Sequence, residues 1–151
     1  MLSLRAAVSI GLLDKPPSAS NMHPEQGISA YKKWSEELDK DFNLFGNAQY
    51  IRILLQARRS AALYLADTAK TFKDVPQNLL LRASERFAQV HAKLVTLSNL
   101  FPFPNKDEEY PYPDITEAQN LINDCYIMET EGLNLIATAI ENIDLKRNET
   151  D

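Results

Sequence analysis

The sequence predicts an all-α protein, an antiparallel up-and-down four-helix bundle with a short extra N-terminal helix. Three observations carry that reading. Leu80, Phe87, Leu94 and Phe101 recur every seven residues, and Ala83, Val90 and Leu97 fill a second register three positions on. Such a stripe is the apolar seam of a helix that packs lengthwise against other helices. The chain also holds only four glycines among many Ala, Leu, Glu and Lys, a composition that favours helix. Finally, no stretch alternates apolar and polar residues as a half-buried strand does.

Residues 1–22 read as a short helix and a linker, and residues 23–151 as the bundle. Within residues 2–13, Leu2, Ala6, Ser9, Ile10 and Leu13 share one side, and DKPPSASN from Asp14 is turn and linker chemistry. A helix this short is marginal alone and must dock or fray. The first bundle helix is expected from Pro24, a residue favoured in a first turn, to Lys40, burying Ile28, Tyr31, Trp34 or Ser35, and Leu38. NLFGN, Asn43 to Asn47, reads as the turn, where Gly46 and the two asparagines suit a helix stop followed by a fresh N-cap. From Ala48 to Phe72 the pattern is helical without Gly or Pro, with Tyr50, Ile53, Leu54, Ala57, Ala61, Tyr64, Leu65 and Ala69 expected inward. Small residues at Ala57, Ser60, Ala61 and Ala62 let a neighbouring helix come close.

Asp74-Val-Pro-Gln77 opens the seam helix with an acidic N-cap, a first-turn proline and Gln three residues on. Phe101-Pro-Phe-Pro104 ends it, because proline cannot continue the helical ladder. NKDEEYPYP, Asn105 to Pro113, is a charged, semi-rigid crossing. Asp114-Ile-Thr-Glu117 repeats the capping signal, and the last helix is expected to reach Lys146. Lys146 and Arg147 there complement the C-terminal end of the dipole.

A chain of 151 residues is one domain with room for a core of its own, and a charged fraction of 25% against 44% hydrophobic excludes wholesale disorder. A net charge of −5 with no basic block argues against nucleic-acid binding. The single cysteine, Cys125, excludes an intramolecular disulfide and a thiolate zinc cluster and fits a reducing cytoplasm. The apolar run from Ala6 to Leu13 is too short and too interrupted for a secretory signal, and no stretch approaches bilayer length.

Candidate chemistry is sparse. Arg86 and His91 have the Arg, four residues, His spacing of the ribonuclease motif of HEPN bundles, but Phe87 stands where a polar residue is usual. Five residues on a helix turn through about 140°, so the two side chains flank the seam. His91 also lacks the Leu-Lys-Gly that follows a phosphotransfer histidine, and the expected reading is a seam-edge histidine satisfied by hydrogen bonding. Cys125, on the apolar stripe between Leu121 and Met128, reads as an inert buried thiol. No Glu-x-x-His pair exists for a di-metal site, since Ala88 precedes His91 by three and His23 lies before the bundle. No metal or other cofactor is expected.

Glu129 is the most informative polar residue. Ile122, Glu129, Ile136 and Ile143 are spaced by sevens, so a carboxylate occupies an apolar slot. A buried carboxylate needs a partner, and Arg58 or Arg59 on the second long helix is the natural one, giving an expected structural Arg58–Glu129 pair. Tyr31, Trp34, Phe103, Tyr110 and Tyr112 form a candidate interaction surface if they lie exposed together, and core lids otherwise.

Taken together, GISAYKKW (Gly27 to Trp34), ARRSAALYL (Ala57 to Leu65), FPFP (Phe101 to Pro104) and a last helix with Glu129 at its middle have a family likeness. From about Leu2 to Ile143 the chain resembles the helical C-terminal region of bacterial proteins of the butirosin-biosynthesis protein H type. The resemblance implies a papain-like cysteine acyltransferase or peptidase-like domain ahead of this region, holding the catalytic cysteine and histidine. No residue here matches a catalytic position, Arg58 and Glu129 match positions that are structural in the family pattern, and the Leu2 to Leu13 helix becomes a joint to that domain. The expectation is a non-catalytic accessory or interaction domain, packing on such a partner or on a second copy. The alternatives are an HEPN-like ribonuclease using Arg86 and His91 and a small-molecule-binding bundle with a closed pocket.

Overall fold

The computed structural model describes residues 4, 5, 8, 27–40, 43–103 and 112–148. Among the described residues four helices are bounded, α1 (Ser29–Glu37), α2 (Leu44–Ala69), α3 (Asp74–Leu100) and α4 (Ile115–Asn148), Leu4, Arg5 and Val8 are helical too, and there is no strand. Helix α1 packs on α4, α4 on α3 and α3 on α2, giving the expected all-α bundle. The side chains of the α3 seam are buried from end to end: Leu80, Ala83, Val90, Leu94 and Leu97 are fully enclosed, and Phe87 and Phe101 nearly so.

Helix ends follow local chemistry, in places against expectation. Helix α1 is shorter than the span from Pro24 to Lys40, because Gly27 takes φ 67, a left-handed turn that a helix cannot run through. Helix α2 starts four residues before Ala48. Gly46 is not a stop but part of the first turn, where its N–H donates to Asn43 Oδ1 at 2.9 Å. A Cβ on Gly46 would come within 2.9 Å of Asn43 Nδ2, so the cap itself favours glycine. Asp74 does not cap α3. It takes φ 60, and its carboxylate receives Lys146 Nζ at 3.0 Å. Asp114 does cap α4, accepting the Glu117 N–H at 3.0 Å.

Of the small residues expected to let a helix approach, Ala62 is buried and Ala61 half-buried, whereas Ala57 and Ser60 face outward. Ser84 on α3 donates its hydroxyl to the Ala62 carbonyl of α2 at 2.8 Å. Gly132 on α4 lies so near Phe87 that a Cβ there would meet the ring at 3.0 Å.

The inward face of α2 differs from the expected one. Ile51, Leu54, Ala62, Leu65 and Ala69 are buried, whereas Ile53 is 58% exposed and Tyr50 and Tyr64 also face outward. The helix is rotated because it carries two apolar stripes, and the other one is left on the surface. Near the N-terminus, Leu4 is buried in the same core as Leu65, Leu80 and Ile136, with Val8 packed against it. The expected contact residues Leu2, Ala6, Ser9, Ile10 and Leu13 lie outside the described residues, as does the linker from Asp14.

Candidate functional site

The polar centre of the bundle is a three-residue cluster drawn from three helices. Arg58 of α2 donates from Nε to Glu129 Oε2 at 2.6 Å and from Nη2 to Oε1 at 2.8 Å, a bidentate fork. Tyr31 of α1 adds its hydroxyl to Oε2 at 2.8 Å. Between α2 and α4 no Cα atoms approach within 8 Å, so they sit across the diagonal of the bundle and only long side chains can bridge them. The Glu129 side chain is 8% exposed and that of Arg58 22%. Arg58, not Arg59, is therefore the partner; Arg59 faces outward.

Burial and the Glu129 charge act together on the groups around this carboxylate. Burial works against the Arg58 charge, but Glu129 and Tyr31 outweigh it and raise the guanidinium above its ordinary value. Burial, and then the Glu129 charge, push the Tyr31 phenol far up, so it stays a donor. Burial, followed by Glu129 and Asp124, pushes the neighbouring Cys125 thiol up to about 12, a protonated and unreactive sulfur. The cluster ties α1, α2 and α4 together.

Arg86 and His91 are not brought together. Arg86 turns toward α4, pairing through Nε with Glu131 Oε2 at 2.8 Å and donating from Nη1 to Gln89 at 2.8 Å. His91 lies on the other flank of α3, facing α2 beside Arg59 and Leu63. The expected hydrogen bond is not made: His91 has no such partner among the described residues, and its half-buried ring opens to solvent. Among the described residues no three His, Cys, Asp or Glu side chains gather as metal ligands.

The candidate aromatic surface divides. Tyr31 is a correction: at 3% exposure it belongs to the core, pulled in by its bond to Glu129. Trp34 is half-buried, donating Nε1 to Asn47 Oδ1 at 2.8 Å and meeting Tyr50 edge-on at 5.0 Å, so it pins α1 to α2. Phe103 and Tyr112 are exposed, and Tyr110 lies outside the described residues.

A surface feature absent from the sequence-based expectations lies along the outer face of α2 and α3. Ala62, Ala88 and Ala92 floor an open groove of about 500 Å³, Leu63 and Val95 wall it, and Arg59 and His91 edge it. Toward the end of the bundle, Phe45 and Phe103 meet edge to face at 5.3 Å, and the Arg52 guanidinium lies 5.8 Å from the Phe103 ring. Ile53 and Gln56 line that end too, Gln56 one turn along α2 from Arg59 at the groove's edge. The available signal was the second apolar stripe of α2, Phe45, Ile53 and Leu63, which a single inward stripe cannot absorb.

Fold and site together define an all-α bundle with a saturated polar core and an apolar outer face. Comparison with protein-family models, curated proteins and solved structures gives no match for this chain. No described helix is long and apolar enough to cross a membrane.

Proposed function

We propose that this chain is a non-catalytic helical interaction domain that binds a protein partner and turns over no substrate. The observation that carries this reading is the outer α2–α3 face, where Phe45, Ile53, Leu63, Val95 and Phe103 are each at least 40% exposed. Large apolar side chains grouped this way on one face mark interaction surfaces. The polar core supports the same reading, because its strongest donors and acceptors are used on one another. The resemblance to the butirosin-biosynthesis protein H type makes a papain-like cysteine acyltransferase or peptidase-like domain the favoured partner, with a second copy as the alternative.

The test has two arms. The chain is co-expressed with the product of the neighbouring reading frame, and the purified chain is separately incubated with single-stranded RNA. Co-elution that is lost in an Ile53→Glu/Leu63→Glu variant, with RNA left intact, is the expected result. RNA cleavage by the wild type that disappears in a folded His91→Ala variant would replace this reading with the HEPN-like nuclease.

A further inference from the structure

We propose that the α2–α3 groove receives an amphipathic helix whose flanks carry carboxylates, spaced about two turns apart. The inference rests on the interaction-domain reading and adds the chemistry of the partner.

Shape comes first. The floor is built of alanines, Ala88 and Ala92 one turn apart on α3 and Ala62 facing them from α2, so a trough remains where larger side chains would have filled the space. Leu63, 61% exposed, and Val95 stand as apolar walls. From Phe45 to Leu63 the face runs along α2 for roughly 27 Å at about 1.5 Å per residue, the length of a five-turn helix. Apolar anchors on one side of a helix, set into such a trough, are the helix-in-groove mode of recognition.

Charge decides the occupant. The chain has 21 acidic residues against 16 basic and a net charge of −5, yet neither the groove nor its extension toward Phe103 is lined by an Asp or Glu. Arg52, Arg59 and His91 are there instead. Elsewhere four cations are used internally, Arg5 on Asp144, Arg58 on Glu129, Arg86 on Glu131 and Lys93 on Asp124, while Lys33, Lys40, Lys73 and Arg82 make no ion pair among the described residues but do not line the groove. Arg59 makes no ion pair among the described residues, and the contact of Arg52 is the Phe103 ring. These two guanidiniums lie seven residues apart on one side of α2, about 10 Å along the axis. A helix lying nearly parallel to α2 meets both with carboxylates at i and i+7. A second copy of the same face would instead set arginine against arginine, and like charges across an interface are costly. A phosphate backbone is disfavoured by the acidic remainder of the molecule.

The experiment is display selection with a random library of 18-residue helical peptides, panned on the full chain, on Leu63→Glu and on Arg52→Glu/Arg59→Glu. All the substituted positions are exposed, and circular dichroism checks that each variant folds. The expected outcome is enrichment of peptides with apolar residues at i, i+3 or i+4 and i+7, flanked by Asp or Glu about seven apart. The charge-reversed variant should select Lys or Arg at those places. The best wild-type peptide, measured by fluorescence anisotropy, should lose about tenfold or more in affinity for either variant. Peptides that depend on Leu63 but show no acidic preference would overturn the charge assignment and leave the interaction-domain reading standing. Peptides indifferent to Leu63→Glu, or no enrichment, would overturn the groove. A wild-type dimer in sedimentation that dissociates in Leu63→Glu would assign the face to self-association instead. RNA cleavage that depends on His91 would remove the underlying reading, a result independent of the other three.

Discussion

Two ion pairs of the same residue types tie α4 to other helices, one across the diagonal to α2 and one to the adjacent α3. Arg58 Nε lies 2.6 Å from Glu129 Oε2, and Arg86 Nε lies 2.8 Å from Glu131 Oε2, their carboxylates two residues apart on one helix. What differs is the surroundings. The Glu129 side chain is 8% exposed and that of Glu131 50%. In water the attraction of such a pair is nearly cancelled by screening and by the entropy of holding two long side chains still. In the core both charges have already lost hydration, so each depends on the other and breaking the pair strands a charge. The strength of the contact therefore lies less in its distance than in what is left behind when it is removed.

The largest effect expected is from Glu129→Ala. It leaves Arg58 and the Tyr31 hydroxyl without their acceptor, and should cost about 3 kcal/mol, the low end for a buried pair because the guanidinium keeps some access to water. For a domain of this size that is a fall of roughly 6–12 °C in melting temperature. A Glu129→Leu/Arg58→Met double variant strands nothing, and is expected within about 1 kcal/mol of wild type or above it. Should the double variant melt as low as Glu129→Ala, stranding would not be the cause and the comparison would fail.

Tyr31→Phe sharpens the comparison within the core. It keeps the packing of α1 and deletes one donor to a charged acceptor, for an expected loss of about 2 kcal/mol in urea unfolding. No loss at all would mean that the Arg58 fork alone satisfies Glu129.

Of this cluster the sequence shows one member clearly. Glu129 interrupts the sevenfold row of Ile122, Ile136 and Ile143, and such an interruption is visible without a structure. Arg58 interrupts an equivalent row, Ile51, Leu54, Ala62, Leu65 and Ala69, yet that row is hidden. The outward Tyr50, Ile53 and Tyr64 offer a competing phase, and residue type alone does not say which stripe faces in. Tyr31 is legible as a buried residue but not as a donor to Glu129, because its partner depends on α1 packing against α4. The seam of α3 is read correctly from its sevenfold spacing, whereas the cap at Asp74 and the hydrogen bond of His91 are not. Where one helix has two uses, burial and an outer face, periodicity averages them.

The same desolvation acts on a group that carries no charge. Cys125 sits one turn before Glu129, and its thiol is raised from an ordinary 9.0 to about 12. A folded-state value above the unfolded one contributes stability that is complete below pH 9 and is lost as the pH climbs toward 12. At pH 10 the loss should be about 1.4 kcal/mol, one unit of pH beyond the unfolded value. The drop in stability between pH 8 and pH 10 should therefore be smaller by that amount in Cys125→Ala than in the wild type. Equal drops in the two proteins would mean that the interior around Glu129 is wetter than the buried contacts imply.

The smallest effect expected is the one that completes the comparison. Glu131→Ala removes a carboxylate as close to its arginine as Glu129 is to Arg58, on the same helix and one turn or less away. Arg86 is left in water with Gln89 still accepting from Nη1, so no charge is stranded. The cost should stay below about 1 kcal/mol and shrink further at high salt, which screens an exposed pair and hardly reaches a buried one. Thermal melts of Glu129→Ala and Glu131→Ala at low and at molar salt separate the two cases. A salt-insensitive loss of about 3 kcal/mol at Glu131 would show that proximity, not burial, sets the strength of these bridges.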